Sequence, residues 1–304
     1  MIKLLVTHLA LMPGIVLASF LVKQGNFLVI FIAQTFLIIL LLAGYWEFFT
    51  NRFKWIYFVF TELLILVSSG VTLTMGDVAL PGYFWLSVWA LLQLYLIFIL
   101  GSIFVVVFKN EKEKVEIQFP FRQGNYLVTD GGNSRISRLM NYHYHSRVHR
   151  KKHTSKSMLF ATDVVKLYGG SKTFLPKEND DYPIFGEKLY SPLDGTVIKV
   201  INNIEDNTPF SGVYPYNTGN TVVLKKEQYY FLLGHLKEGS IKVKEGEYVN
   251  GGDPIGEAGN SGMSERPHLH MQLMKSDTDD YWKGTGICIC YLSKNLYKNR
   301  LVKL

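Results

Sequence analysis

The sequence predicts two unlike halves, an α-helical transmembrane region of about four helices and an all-β antiparallel domain of sandwich or barrel-like form. Three observations carry this reading. Apolar residues are concentrated in residues 1–108, short alternating runs fill the chain beyond 109, and glycine-containing turn signals separate those runs. The boundaries that follow are 1–108 for a helical anchor, 109–125 for a charged connector and 126–304 for the β domain. A chain of 304 residues has room for both.

The helical half shows apolar spans near 4–22, 27–46, 55–75 and 83–108. Each is long enough to cross a hydrocarbon core of about 30 Å. Tyr45, Trp46, Trp55, Tyr57, Tyr83 and Trp85 lie near span ends, the headgroup level where aromatic rings collect. Lys3, Ala18 and Ser19 give the first span the outline of a signal peptide, whereas Pro13 and its length favour a retained helix; the later spans anchor the chain either way. Glu62, inside the third span, must face the helix bundle or be neutral. A polar packing contact or a shallow position accounts for it better than a proton relay, and the short loops do not suggest a transporter. Arg52, Lys54, Lys109, Lys112 and Lys114 outweigh Lys23, so the positive-inside rule places both termini in the cytoplasm.

The β half is read from runs such as 188–201, 219–226, 228–236, 241–259 and 267–274, which alternate or are rich in β-branched and aromatic residues. Asp194-Gly195, Gly219-Asn220 and Gly251-Gly252 mark turns between them. In the last run, Leu269, Met271 and Leu273 share one face, while His268 and His270 share the other, about 7 Å apart. Cys288 and Cys290 are also two apart, a spacing ill suited to a disulfide. Two thiols cannot complete a structural zinc site, so they read as small core or edge residues.

The net charge of +7 has a local source. Arg135, Arg138, Arg147, Arg150, Lys151, Lys152 and Lys156 fall in a stretch without acidic residues. Such a run by itself suits an anionic partner, whether lipid headgroups, an acidic wall polymer or nucleic acid, and at least equally a solvated basic loop. No nucleic-acid partner is expected.

Five motifs occur in order: SPLDGTV at 191–197, GNTVVL at 219–224, GHL at 234–236, the glycine-spaced run 243–262 ending in GNSG, and PHLH at 267–270. In order and spacing they resemble the lysostaphin and LytM type of zinc endopeptidase of the bacterial cell wall, over roughly 155–275. The resemblance implies a zinc ion held by the first histidine and the aspartate of H-x-x-x-D and by the second histidine of H-x-H. It further implies two more histidines that stabilise the oxyanion and handle the proton. Carried over, His270 and Asp163 are metal ligands, and His268 and His235 are catalytic.

One ligand position departs from the pattern. Four residues before Asp163 stands Leu159, which cannot bind a metal. Either the domain is a degenerate, non-catalytic module, or the ligand comes from elsewhere. Upstream, His143, His145, His149 and His153 crowd into eleven residues. This segment resembles a membrane-anchored branch of the family in which N-H-H precedes Q-R-Y-A-x-D. Asn141-Tyr142-His143 would match the first motif and 159–163 the second. His143 is the expected third ligand, with His145 as substitute.

The expected function is thus that of a multi-pass membrane protein bearing a zinc metalloendopeptidase domain that acts on peptidoglycan stem peptides or cross-bridges. The alternative is a non-catalytic binding or regulatory module of the cell envelope. A lipoyl-like carrier lacks its lysine at a hairpin tip. Wall substrates require the domain outside the membrane, against the charge bias; long domains translocate largely regardless of charge, and the external placement is the expectation.

Overall fold

A computed structural model describes residues 111–133, 141–145, 156–168 and 175–304 except 213 and 216, together with the single helical positions Val59, Ser87, Leu91, Leu94, Phe98 and Gly101. The four expected membrane spans otherwise lie outside the described residues. Among the described residues, no helix is long and apolar enough to cross a membrane. Residues Ser102–Leu304 fall in one compact unit, and the following account concerns it.

Fourteen strands appear among its described residues. The main sheet uses β2 (Asn125–Asp130), β3 (Thr162–Lys166), β5 (Gly195–Ile201), β6 (Asn220–Lys226), β7 (Tyr229–Leu236), β8 (Tyr248–Val249), β10 (Leu269–Lys275) and β14 (Leu301–Lys303). Their order across the sheet is β14-β2-β3-β10-β7-β6-β5-β8, with β11 (Thr285–Gly286) paired to β10. Every pairing in this sheet is antiparallel. The antiparallel all-β reading of the C-terminal part is therefore what the described residues show.

Two smaller sheets complete the body. One pairs β4 (Lys188–Tyr190) with β9 (Pro254–Glu257); the other is β1 (Lys114–Glu116), β12 (Cys288–Tyr291) and β13 (Lys294–Asn295). The β1–β12 pair is parallel. Residues 114–121 thus belong to the β body, although charge marks them as connector in the sequence. The reason is a period-two apolar run that follows the charged residues: Ile117, Phe119 and Phe121 are all buried, and Phe121 stacks on Tyr126 at 4.4 Å.

Strand alternation places the core. Val222 and Leu224 of β6, Phe231 and Leu233 of β7, and Leu269, Met271 and Leu273 of β10 point into one large apolar cluster. Leu189 of β4, Ile255 of β9 and Ile289 of β12 join it, with Ile117 just past β1, so the small sheets cover this face. Cys288 and Cys290 are buried and unbridged. On the opposite face, Val223, Tyr230, Leu232 and Met274 form a second, smaller cluster. His270 and Gln272, between core residues on β10, are turned to that second face by the same alternation.

Candidate metal centre

Register brings the polar residues together. His270 of β10 lies directly opposite Asp163 of β3 on one side and Gly234 of β7 on the other. Directly opposed residues on antiparallel strands hold their Cβ atoms about 4.5–5.5 Å apart, so the Asp163 and His270 side chains meet without any excursion of the backbone. Asp163 Oδ1 lies 2.9 Å from His270 Nδ1. His143 comes from outside the sheet, on a 3₁₀ turn at Tyr142–His145, and sets its Nε2 at 2.8 Å from Asp163 Oδ2. The two imidazoles meet edge to face at 4.8 Å between centroids.

One donor atom each from His143, Asp163 and His270 fit within 4.8 Å of one another. Two imidazole nitrogens and a carboxylate oxygen are the donor types zinc takes in catalytic sites, where three protein ligands leave one position open. The donors are also oriented as ligands need to be. Gln272 donates its amide to the Ser157 carbonyl at 2.8 Å, which turns its Oε1 toward His270 Nε2 at 3.3 Å. With a metal on Nδ1, His270 would carry its proton on Nε2 toward Gln272, the outer-partner arrangement common to metal-bound histidines; without one, its Nδ1–H donates to Asp163 Oδ1. The chemistry of the set fits zinc.

The other two sequence-predicted histidines stand beside this cluster. His235 and His268 have ring centroids 4.7 Å apart, and His235 lies 5.6 Å from His270. His268 Nε2 is 3.8 Å from Asp163 Oδ1. Each ring is fixed through Nδ1: His235 Nδ1 donates to the Ser261 carbonyl at 2.7 Å, and His268 Nδ1 donates to that of Arg266 at 2.8 Å. Both are left with Nε2 as the position that can exchange a proton. His235 sits at φ 60, a left-handed backbone rarely taken by a residue with a side chain.

The electrostatics follow from burial and proximity. Burial alone would raise the Asp163 carboxyl, but positive charge on His143 and His268 and hydrogen bonds from His143 and His270 outweigh it and hold the group well below the usual carboxylate range. Burial would lower His143, yet Asp163 beside it overrides that and raises it. His235 is driven well below the ordinary histidine value, first by burial and then by the charges of His268 and His270. His268 is lowered, mainly by burial.

All five sequence-predicted residues are thus brought to one place. The side chain of His145 lies outside the described residues, as do His149 and His153. Leu159 lies in the turn shortly before β3, its backbone against Gly286, where an added Cβ would fall 1.9 Å from the Leu159 carbonyl oxygen. Sequence reasoning missed Gln272 as the partner of His270. Its signal was a polar residue on the same strand face as both histidines, in a run whose other face is apolar.

Residues 181–281 match the family model described as Peptidase family M23. The chain carries an M23 peptidase domain. Within the M23 match lie His235, His268 and His270, while Asp163 and His143 precede it. Over 113 residues, 37% of this chain, the sequence is 31% identical to the peptidoglycan DD-endopeptidase ShyA of Vibrio cholerae. The match spans 23% of that relative's length. Among solved structures, a zinc containing peptidase from Vibrio cholerae overlaps with a TM-score of 0.32 at 23% identity, covering 55% of this chain and 37% of that one. The catalytic domain of lysostaphin from Staphylococcus simulans overlaps with a TM-score of 0.27 at 20% identity, covering 41% of this chain and 73% of that one.

Proposed function

We propose that this chain is a membrane-anchored zinc metalloendopeptidase whose M23 domain cleaves peptide bonds in peptidoglycan stems or cross-bridges. The observation that carries the reading is the convergence of His143, Asp163 and His270 donors within 4.8 Å, beside His235 and His268. His143 supplies the donor that Leu159 cannot, so the departure from H-x-x-x-D is a relocation of the ligand.

Asp163, His270 and His143 would hold zinc, with the buried carboxylate offsetting the cation's charge. When bound, zinc supplies Lewis acidity, polarising a carbonyl oxygen and lowering the pKa of water to about 7. The chain's own contribution is proton management. His235 and His268 both keep Nδ1–H on a backbone carbonyl, so a proton arriving on either ring must sit on Nε2. With rings 4.7 Å apart in a buried setting, a proton on one disfavours a proton on the other. One ring is then neutral and accepts a proton while the other, once charged, donates to an oxyanion or a leaving amine.

The membrane part of the proposal rests on the four apolar spans of the sequence. A wall substrate places the M23 domain on the outer side, with the lipid bilayer and anionic wall polymer or headgroups as further partners of the basic segment.

The test is metal analysis with cleavage of purified muropeptides. One zinc per chain, lost in H270A together with cleavage, is the expected result. A chain that neither carries nor takes up zinc at neutral pH is instead a non-catalytic binding module. A reporter fused after Leu304 that is active only outside the cell checks the placement; a silent reporter in inserted protein counts against a wall substrate.

A further inference from the structure

We infer that Asn141 is the positioning residue that holds His143 in the metal centre. The inference rests on the reading of His143 as a zinc ligand, and it concerns what keeps that ligand in place. Asp163 and His270 are fixed by the ladder between β3 and β10. His143 belongs to no strand, so its place must be set by other bonds.

The Asn141 side chain supplies them. It is fully buried, and its amide nitrogen donates to the carbonyls of Gly132 and Ala161, each at 3.0 Å. Gly132 lies just beyond the end of β2, and Ala161 lies just before β3. Both amide hydrogens are thus spent on the ends of two paired strands, one of which carries Asp163. The amide oxygen then accepts the backbone N–H of His143 at 3.0 Å. One side chain therefore ties the arm that carries the relocated donor to the strand that carries the carboxylate.

A second bond limits the arm in the same direction. The Tyr142 N–H donates to Asp130 Oδ1 at 3.1 Å, and Lys298 Nζ lies 3.6 Å from the same oxygen. Asp130 pairs with Asp163 across β2 and β3. Only an amide meets the demands at 141: two donors for two carbonyls and one acceptor for a backbone N–H. Aspartate keeps the shape and loses both donors; alanine loses all three bonds.

The experiment measures zinc affinity of the full chain by competition with a chromophoric chelator, for wild type, N141A, N141D, H143A and N141A/H143A, with circular dichroism as the check on fold. N141A and N141D are expected to weaken zinc by about 10–100-fold, the usual effect of losing an outer partner of a ligand. In the H143A background, N141A is expected to add less than about twofold, because residues that act through one another are not additive. A merely structural role predicts the same factor in both backgrounds, and that result overturns the inference. So does unchanged affinity in both N141A and N141D while H143A is weakened. A wild-type chain without zinc, or H143A with wild-type affinity, instead overturns the underlying reading of the metal centre, and the role of Asn141 falls with it.

Discussion

Asp163 and His270 are register partners on neighbouring antiparallel strands, and their side chains meet at 2.9 Å between Oδ1 and Nδ1. A carboxylate and an imidazole that lie 107 positions apart in the chain are thus placed by backbone hydrogen bonding before any side chain is adjusted. His143 adds a second imidazole on the other carboxylate oxygen. The chemistry proposed for the domain depends on this pairing, and the consequences below can be measured.

Asp163→Asn preserves the volume and removes the charge. The variant is expected to lose zinc more severely than the about 10–100-fold typical of an outer partner, because the carboxylate is the one anionic donor of the set. Inductively coupled plasma analysis of the purified chain checks it. Wild-type zinc content in D163N would show that the metal lies elsewhere.

His268→Ala and His235→Ala are expected to separate binding from turnover. Neither residue belongs to the three-donor set, so one zinc per chain is retained. Removing an acid or base of this kind lowers kcat by about 10²–10⁴-fold. Muropeptide cleavage on zinc-loaded protein gives the readout, and loss of zinc in both variants would contradict the division of roles.

Gly262→Ala tests the support beneath His235. Gly262 has φ +74, and an added Cβ would lie 2.2 Å from the Gly219 nitrogen and 2.7 Å from the Asn217 carbonyl. Strained backbone of this kind costs on the order of 1–3 kcal/mol, and the shift passes to Ser261, whose carbonyl fixes His235. A lower thermal midpoint with reduced kcat is expected, and a fully stable, fully active G262A would refute it.

Stability of the metal-free protein should carry a pH signature from His235. Its folded value lies well below the ordinary one, through burial and then the charges of His268 and His270, whereas the unfolded ring titrates near about 6.5. Above that pH both states are neutral and the contribution to stability is fully present. As pH falls below it, the unfolded chain takes up a proton that the folded ring refuses, and stability is lost. His268, also lowered, has the same sign. His143, raised, has the opposite one, its contribution being full below about 6.5 and lost as pH rises through its folded value. Urea unfolding of wild type and H235N should therefore show a steeper loss on acidification in the wild type. Equal slopes would count against a neutral, buried His235.

Much of the β part was legible in the sequence because strand alternation is a local signal. His268 and His270 could be assigned a common face, and Leu269, Met271 and Leu273 the core, from spacing alone. Asp163 and His235 needed the ordered motifs, since an aspartate beside two valines and a histidine at a strand end are ordinary in isolation. His143 was reachable only by noticing what Leu159 could not do and asking which nearby histidines were unaccounted for. Gln272 and the bonds of Asn141 were not readable, because a polar side chain's partners are set by how the chain folds back: Gln272 reaches Ser157 across 115 residues, and Asn141 meets Gly132 and Ala161 where loops close beside the ends of β2 and β3. The packing of 114–121 was obscured by the charges that precede Ile117, Phe119 and Phe121.

The alternation of β10 makes assembly and competence inseparable. Sliding that strand by a single step against β3 would turn His270 and Gln272 inward among aliphatic neighbours and present leucine and methionine to the carboxylate. No partly altered specificity can result from such an error, only an inert protein with a disordered interior. Turnover in a preparation would consequently count the molecules that have zipped correctly, without any separate assay of folding.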